Sequence, residues 1–126
     1  MLGCACRTER ESYLQEVEGH ANIFRMRIAG PSSHGVTEYV KEIRVFQIQI
    51  GATGISVGSL CWEIIGYAAA DGLEVVAGRV PNGFTQVYPA PYEVFRPMPG
   101  KTYGISVVTD VPPAKALGTE TAWVGK

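Results

Sequence analysis

Pro97-Met98-Pro99-Gly100-Lys101-Thr102-Tyr103-Gly104-Ile105-Ser106-Val107-Val108-Thr109 is a turn that runs straight into an alternating strand. Pro99-Gly100 supplies the tight turn, and Tyr103, Ile105 and Val107 fall on one face because successive side chains of a strand point to opposite sides. Working outward, the same signature recurs. Phe24, Met26 and Ile28 alternate with Arg25 and Arg27, the pattern of an antiparallel strand with one wet face. Leu60, Trp62 and Ile64 share a side, as do Leu73, Val75 and Ala77 after the Asp71-Gly72 turn signal. Short strands about ten residues apart, joined by Gly and Pro turns, predict an all-β domain, an antiparallel sandwich or barrel.

Two stretches resist a simple reading. Between Val36 and Ile50 the apolar set changes parity, from Val40, Ile43 and Val45 to Phe46, Ile48 and Ile50. One straight strand cannot bury both sets on one face, so the sequence predicts either a β-bulge near Val45-Phe46 or a strand crossing between sheets. Gly51-Ala52-Thr53-Gly54 then turns the chain back. The second stretch is Glu9 to Glu18. Thr8-Glu9-Arg10-Glu11 matches a capping box and Gly19 can stop a short helix, while Tyr13, Gln15 and Val17 alternate as in a strand. Both readings stand. Residues 1–12 hold too few apolar side chains to join a core and read as an N-terminal arm, with 13–126 as one domain.

Seven of the eight prolines lie from Pro81 onward and cut that half into short strands and extended loops, since proline cannot donate to a ladder. Tyr88-Pro89-Ala90-Pro91-Tyr92 reads as an edge or polyproline-like segment, and Thr121 to Val124 as a last short strand.

Composition narrows the uses. With 126 residues, 46% hydrophobic and 18% charged, the chain can build a core without staples. Eleven basic residues balance twelve acidic ones, giving a formal charge of −1, so no basic surface invites nucleic acid. The apolar run from Leu60 to Ala70 is interrupted by Glu63 and Gly66 and is too short to span a membrane. Cys4, Cys6 and Cys61 are an odd set; a small buried thiol beside Trp62 and a reducing compartment are expected. Met1-Leu2-Gly3-Cys4 lacks the regions of a signal peptide, so secretion by one is not expected.

Chemistry is sparse. Ser32-Ser33-His34 is the nearest approach to a nucleophile with its base, but neighbours in a loop rarely align and no nucleophile elbow is present. Cys4, Cys6 and His20 lack zinc-site spacing, and a solvated tail explains the thiols better. No cofactor and no metal are therefore expected, and the chain reads as non-enzymatic. Tyr88, Tyr92, Phe95 and Trp123, in or beside proline-rich segments, are the candidate protein-interface or glycan surface; the bland alternative for each is packing under loops.

The segment Met98 to Val107 resembles the strand before which fibronectin type III and related immunoglobulin-like sandwiches place a Pro-Gly turn and a tyrosine corner. Leu60-Cys61-Trp62 looks like their core-tryptophan strand. The resemblance covers about the last 90 residues and implies a Greek-key sandwich in which Tyr103 and Trp62 are structural and the Tyr103 hydroxyl bonds a backbone acceptor upstream. It implies no activity, because this sandwich hosts many uses. By type, a small, near-neutral, turn-rich domain with a polar arm looks like a subunit of a larger assembly, such as a bacteriophage capsid-decoration or tail-associated protein. It would then reside in a virion, and otherwise in the cytoplasm, as a homo-oligomer or bound to a larger complex. A carbohydrate-binding module is the alternative.

Overall fold

The computed structural model describes residues 11–20, 22–29, 38–110 and 120–125, and these contain strands and turns with no helix. Two antiparallel sheets pack over one core. The smaller holds β1 (Glu11–Glu16), β2 (Ile23–Ala29) and β5 (Glu74–Val76) in the order β1-β2-β5. The larger holds β3 (Tyr39–Gly51), β4 (Gly54–Ala69), β6 (Phe84–Tyr88), β7 (Thr102–Thr109) and β8 (Glu120–Val124) in the order β6-β4-β3-β7-β8. The predicted all-β sandwich-like architecture is what the chain adopts.

Alternation builds the core. Leu14, Phe24, Met26 and Val75 face inward from the small sheet, and Val40, Ile43, Val45, Trp62, Ile64, Tyr103, Ile105 and Val107 from the large one. Arg25 and Arg27 point to water, Arg25 reaching Glu74 at 3.2 Å and Arg27 reaching Gln15 at 3.0 Å. The helix-or-strand question at Glu9 to Glu18 resolves as a strand over Glu11–Glu16, because each of its residues finds a partner on β2, from Glu11↔Ala29 to Glu16↔Phe24. Thr8 and the rest of the expected arm before Glu11 lie outside the described residues, as do Cys4, Cys6 and the Ser32-Ser33-His34 loop.

The parity change in β3 is a matter of bulges. Pairing with β7 runs unbroken from Ile43↔Val107 through Val45↔Ile105 and Phe46↔Gly104, whereas the register with β4 shifts between Val45↔Trp62 and Phe46↔Leu60. Cys61 is thus the extra residue, carried by β4. A further shift between Val40 and Glu42 lets both Val40 and Ile43 face inward. Past this point the two longest strands leave the sandwich together. The last β7 partner of β3 is Tyr103, opposite Gln47, and the last β6 partner of β4 is Tyr88, opposite Glu63. Ile48 to Val57 therefore forms a two-stranded ribbon closed by Gly51↔Gly54, extending about 14 Å beyond the sheet at the usual rise per residue.

Candidate interaction surfaces

The loop after β6 is held from beneath by one amide. Gln86, 7% exposed, accepts a hydrogen bond from Trp62 Nε1 at 2.9 Å, while its Nε2 faces the carbonyls of Pro89 (3.1 Å), Ala90 (3.0 Å) and Glu93 (2.8 Å). Two N–H bonds shared among three acceptors draw the loop around the side chain. Glu93 N–H adds a bond to Ala90 O, and the Tyr88-Pro89 peptide is cis. Phe95 closes the loop onto the core, stacked on Trp62 with ring centroids 6.3 Å apart and edge-on to Tyr103 at 5.7 Å. Its carbonyl lies so close over Gly78 (φ +92°) that any Cβ there would overlap it.

This frame sorts the predicted aromatic set. Tyr92 is 85% exposed at the loop surface and Tyr88 is 48% exposed at the end of β6. Phe95 is partly buried against the core. Trp123 is not a surface residue: it is 4% exposed, packs edge-on to Phe24 at 4.8 Å, and donates from Nε1 to Asn22 Oδ1 at 2.9 Å. Burial on β8 opposite Tyr103 removes it from any glycan or partner surface. Trp62 is fully buried, as a core residue should be.

Tyr103 does bond the backbone upstream, with one correction. Its hydroxyl accepts from Met98 N–H at 2.8 Å, so the partner is a donor and not the acceptor expected from sequence. Lys101 N–H to Met98 O and the reciprocal pair Gly100 N–H to Gly125 O and Gly125 N–H to Lys101 O complete the corner.

The outer face of the large sheet carries the densest exposed apolar group. Register places Val108, Glu42, Ile65 and Thr85 in one row and Ser106, Arg44, Glu63 and Tyr88 in the next. Ile65, Val108, Tyr67, Val87 and Tyr88 are each 45–56% exposed. A shallow depression of about 550 Å³ lies over Lys41, Glu42, Ile65, Gly66, Gly83, Thr85 and Val108. Gly66 is required there, because a Cβ would overlap Gly83 O across the strand pair. Arg44 Nε bridges Glu42 (2.8 Å) and Glu63 (3.1 Å). At one end Tyr67 stacks on Tyr39 with centroids 4.5 Å apart, and its hydroxyl donates to Asp110 Oδ2 at 3.2 Å; desolvation, with help from that carboxylate, pushes the phenol above its ordinary pKa. Of this group only Tyr88 stands out in the sequence. The signal for the rest was the apolar residues on the wet parity of otherwise alternating strands.

Cys61 is half-buried, not fully buried as expected. Burial pushes its thiol upward, partly offset by a backbone hydrogen bond at Gln47, which makes it a weak nucleophile at neutral pH. Among the described residues no group of three His, Cys, Asp or Glu side chains is placed to hold a metal, and no helix is long and apolar enough to cross a membrane. Searches of family models, curated proteins and solved structures found no match to this chain.

Proposed function

We propose that the chain is a non-enzymatic interaction subunit of a larger assembly, docking through the outer face of its five-stranded sheet. The observation that carries this reading is the group Ile65, Tyr67, Val87, Tyr88 and Val108, exposed on one sheet face and interspersed with Lys41, Glu42, Arg44 and Glu63. Protein-binding surfaces combine several exposed apolar and aromatic side chains on one face with charged neighbours that set register and partner choice. Within that reading we take the domain as an immunoglobulin-like Greek key and the assembly as a bacteriophage virion, with the chain a decoration or tail-associated protein. Support for the fold assignment is the strand order. β1-β2-β5 follows the A-B-E order of that fold and β8-β7-β3-β4 follows G-F-C-C′, with the Tyr103 hydroxyl bonded upstream; β6 beyond β4 is an addition. The virion assignment rests on size and type alone.

Native mass determination of the particle from which the chain is isolated tests the reading. A mass far above a few copies, lost for Ile65→Glu, supports it; recovery of the chain free of any larger particle contradicts it. Carbohydrate binding keeps one favourable observation, the 85% exposure of Tyr92 on a loop held by Gln86. Because both tryptophans are buried, their fluorescence would not report a sugar, so the discriminating readout is an NMR shift of the Tyr92 ring on glycan titration.

A further inference from the structure

From Val45 to Trp62 the chain has eighteen residues without a single Asp, Glu, Lys, Arg or Pro, and the ribbon that leaves the sandwich, Ile48 to Val57, lies within this stretch. Its strands pair with each other and, among the described residues, with nothing else beyond Gln47 on one side and Glu63 on the other. Val57 is 60% exposed, opposite Ile48, and Ser56 and Ser59 are exposed as well. A lone two-stranded ribbon is marginal in water, and its unpaired N–H and C=O groups invite another strand.

The outer strands of the two sheets are guarded. β1 carries Glu16, β5 is three residues long with Glu74, β8 is five residues long, and β6 is bulged near Val87 and followed by Pro89. Charges, short length, bulges and nearby proline are the devices that stop edge-to-edge association. The β4 edge between Gly54 and Trp62 has no charge and no proline, and its register shifts are confined to the base, at Cys61 and between Leu60 and Val57, leaving Gly54 to Val57 regular.

The geometry points to this edge being covered by the same edge of a second copy, β4 pairing antiparallel with β4 about a two-fold axis. Self-pairing sets identical residues against each other, so any charge would meet its like; here there is none to repel. An isologous contact also closes after two chains and does not grow into a fibre. The inference rests on the reading of the chain as an interaction subunit and names one partner, while leaving the outer sheet face free for the rest of the assembly.

Sedimentation velocity on the purified chain tests it. The expected species weighs twice 13.6 kDa and dissociates on dilution. Val57→Lys with Ser59→Lys should give the single-chain mass with near-UV circular dichroism unchanged, whereas Ile65→Lys, on the sheet face, should leave the dimer intact. A wild-type chain that stays single to its solubility limit overturns the inference. So does a dimer that survives the two lysines, or one that Ile65→Lys alone dissolves. If the lysine variant misfolds, mixed isotope-labelled and unlabelled wild-type chains decide. Intermolecular contacts within residues 55–61 support the pairing, and contacts elsewhere refute it. A dimer never found in a larger particle would sink the proposed function and spare this inference; a monomer found in such a particle would do the reverse.

Discussion

The two halves of the β3–β4 hairpin are made of the same strands and do opposite things. In the proximal half, Ile43, Val45, Trp62 and Ile64 are buried, Arg44 bridges Glu42 and Glu63 on the wet side, and β7 and β6 flank the pair. In the distal half the charges stop, no flanking strand is found among the described residues, and Val57 stands in water. Cys61 marks the boundary as the extra residue of β4. Continuity of backbone is therefore no guide to what holds a strand: the first half is fixed by the core, and the second, among the described residues, has only its own partner.

The sharpest way to break the contrast is Gly66→Ala, which forces a methyl into Gly83 O and should cost about 3 kcal/mol or more in chemical denaturation. A cost below about 1 kcal/mol would mean that β4 and β6 are not this close. Gln86→Ala comes next. It strands the Trp62 indole N–H and frees the carbonyls of Pro89, Ala90 and Glu93, at about 2–3 kcal/mol, with faster proteolysis of the 89–95 loop as its signature. Tyr103→Phe removes the acceptor for Met98 N–H and should cost about 1–2 kcal/mol with secondary structure unchanged. In the distal half, Val57→Thr should move the stability of the dilute chain by less than about 0.5 kcal/mol. At the boundary, alkylation of Cys61 near pH 8, followed by peptide mapping, should be slower in the folded chain than in denaturant, because the raised thiol pKa leaves less thiolate. Equal rates would place that sulfur in open water.

Much of the proximal half was readable in advance. Period-2 alternation located β2, β4 and β7, and the parity change at Val45-Phe46 announced an irregularity, although only pairing could assign the extra residue to β4. Glu11–Glu16 was ambiguous because its local pattern suits a capped helix; six partners on β2 decide it, and partners are invisible in a single segment. Gln86 gave no signal, since a glutamine in FTQVY looks like any polar strand residue until Trp62 and the loop carbonyls are placed around it. Trp123 misled for a related reason: its proline-rich neighbourhood suggested a surface, and the facing sheet supplies Phe24 and Asn22 to bury it. The ribbon was hidden in plain view, because an apolar run reads as core whether or not anything covers it.

Peptide-resolved hydrogen exchange on the dilute and the concentrated chain tests the division directly. Residues 42–45 and 62–66 should be protected to the level of global unfolding at both concentrations, while 48–51 and 54–59 exchange quickly when dilute and slow down as the chain is concentrated. Equal protection of both halves in the dilute chain, or a distal half indifferent to concentration, would contradict it.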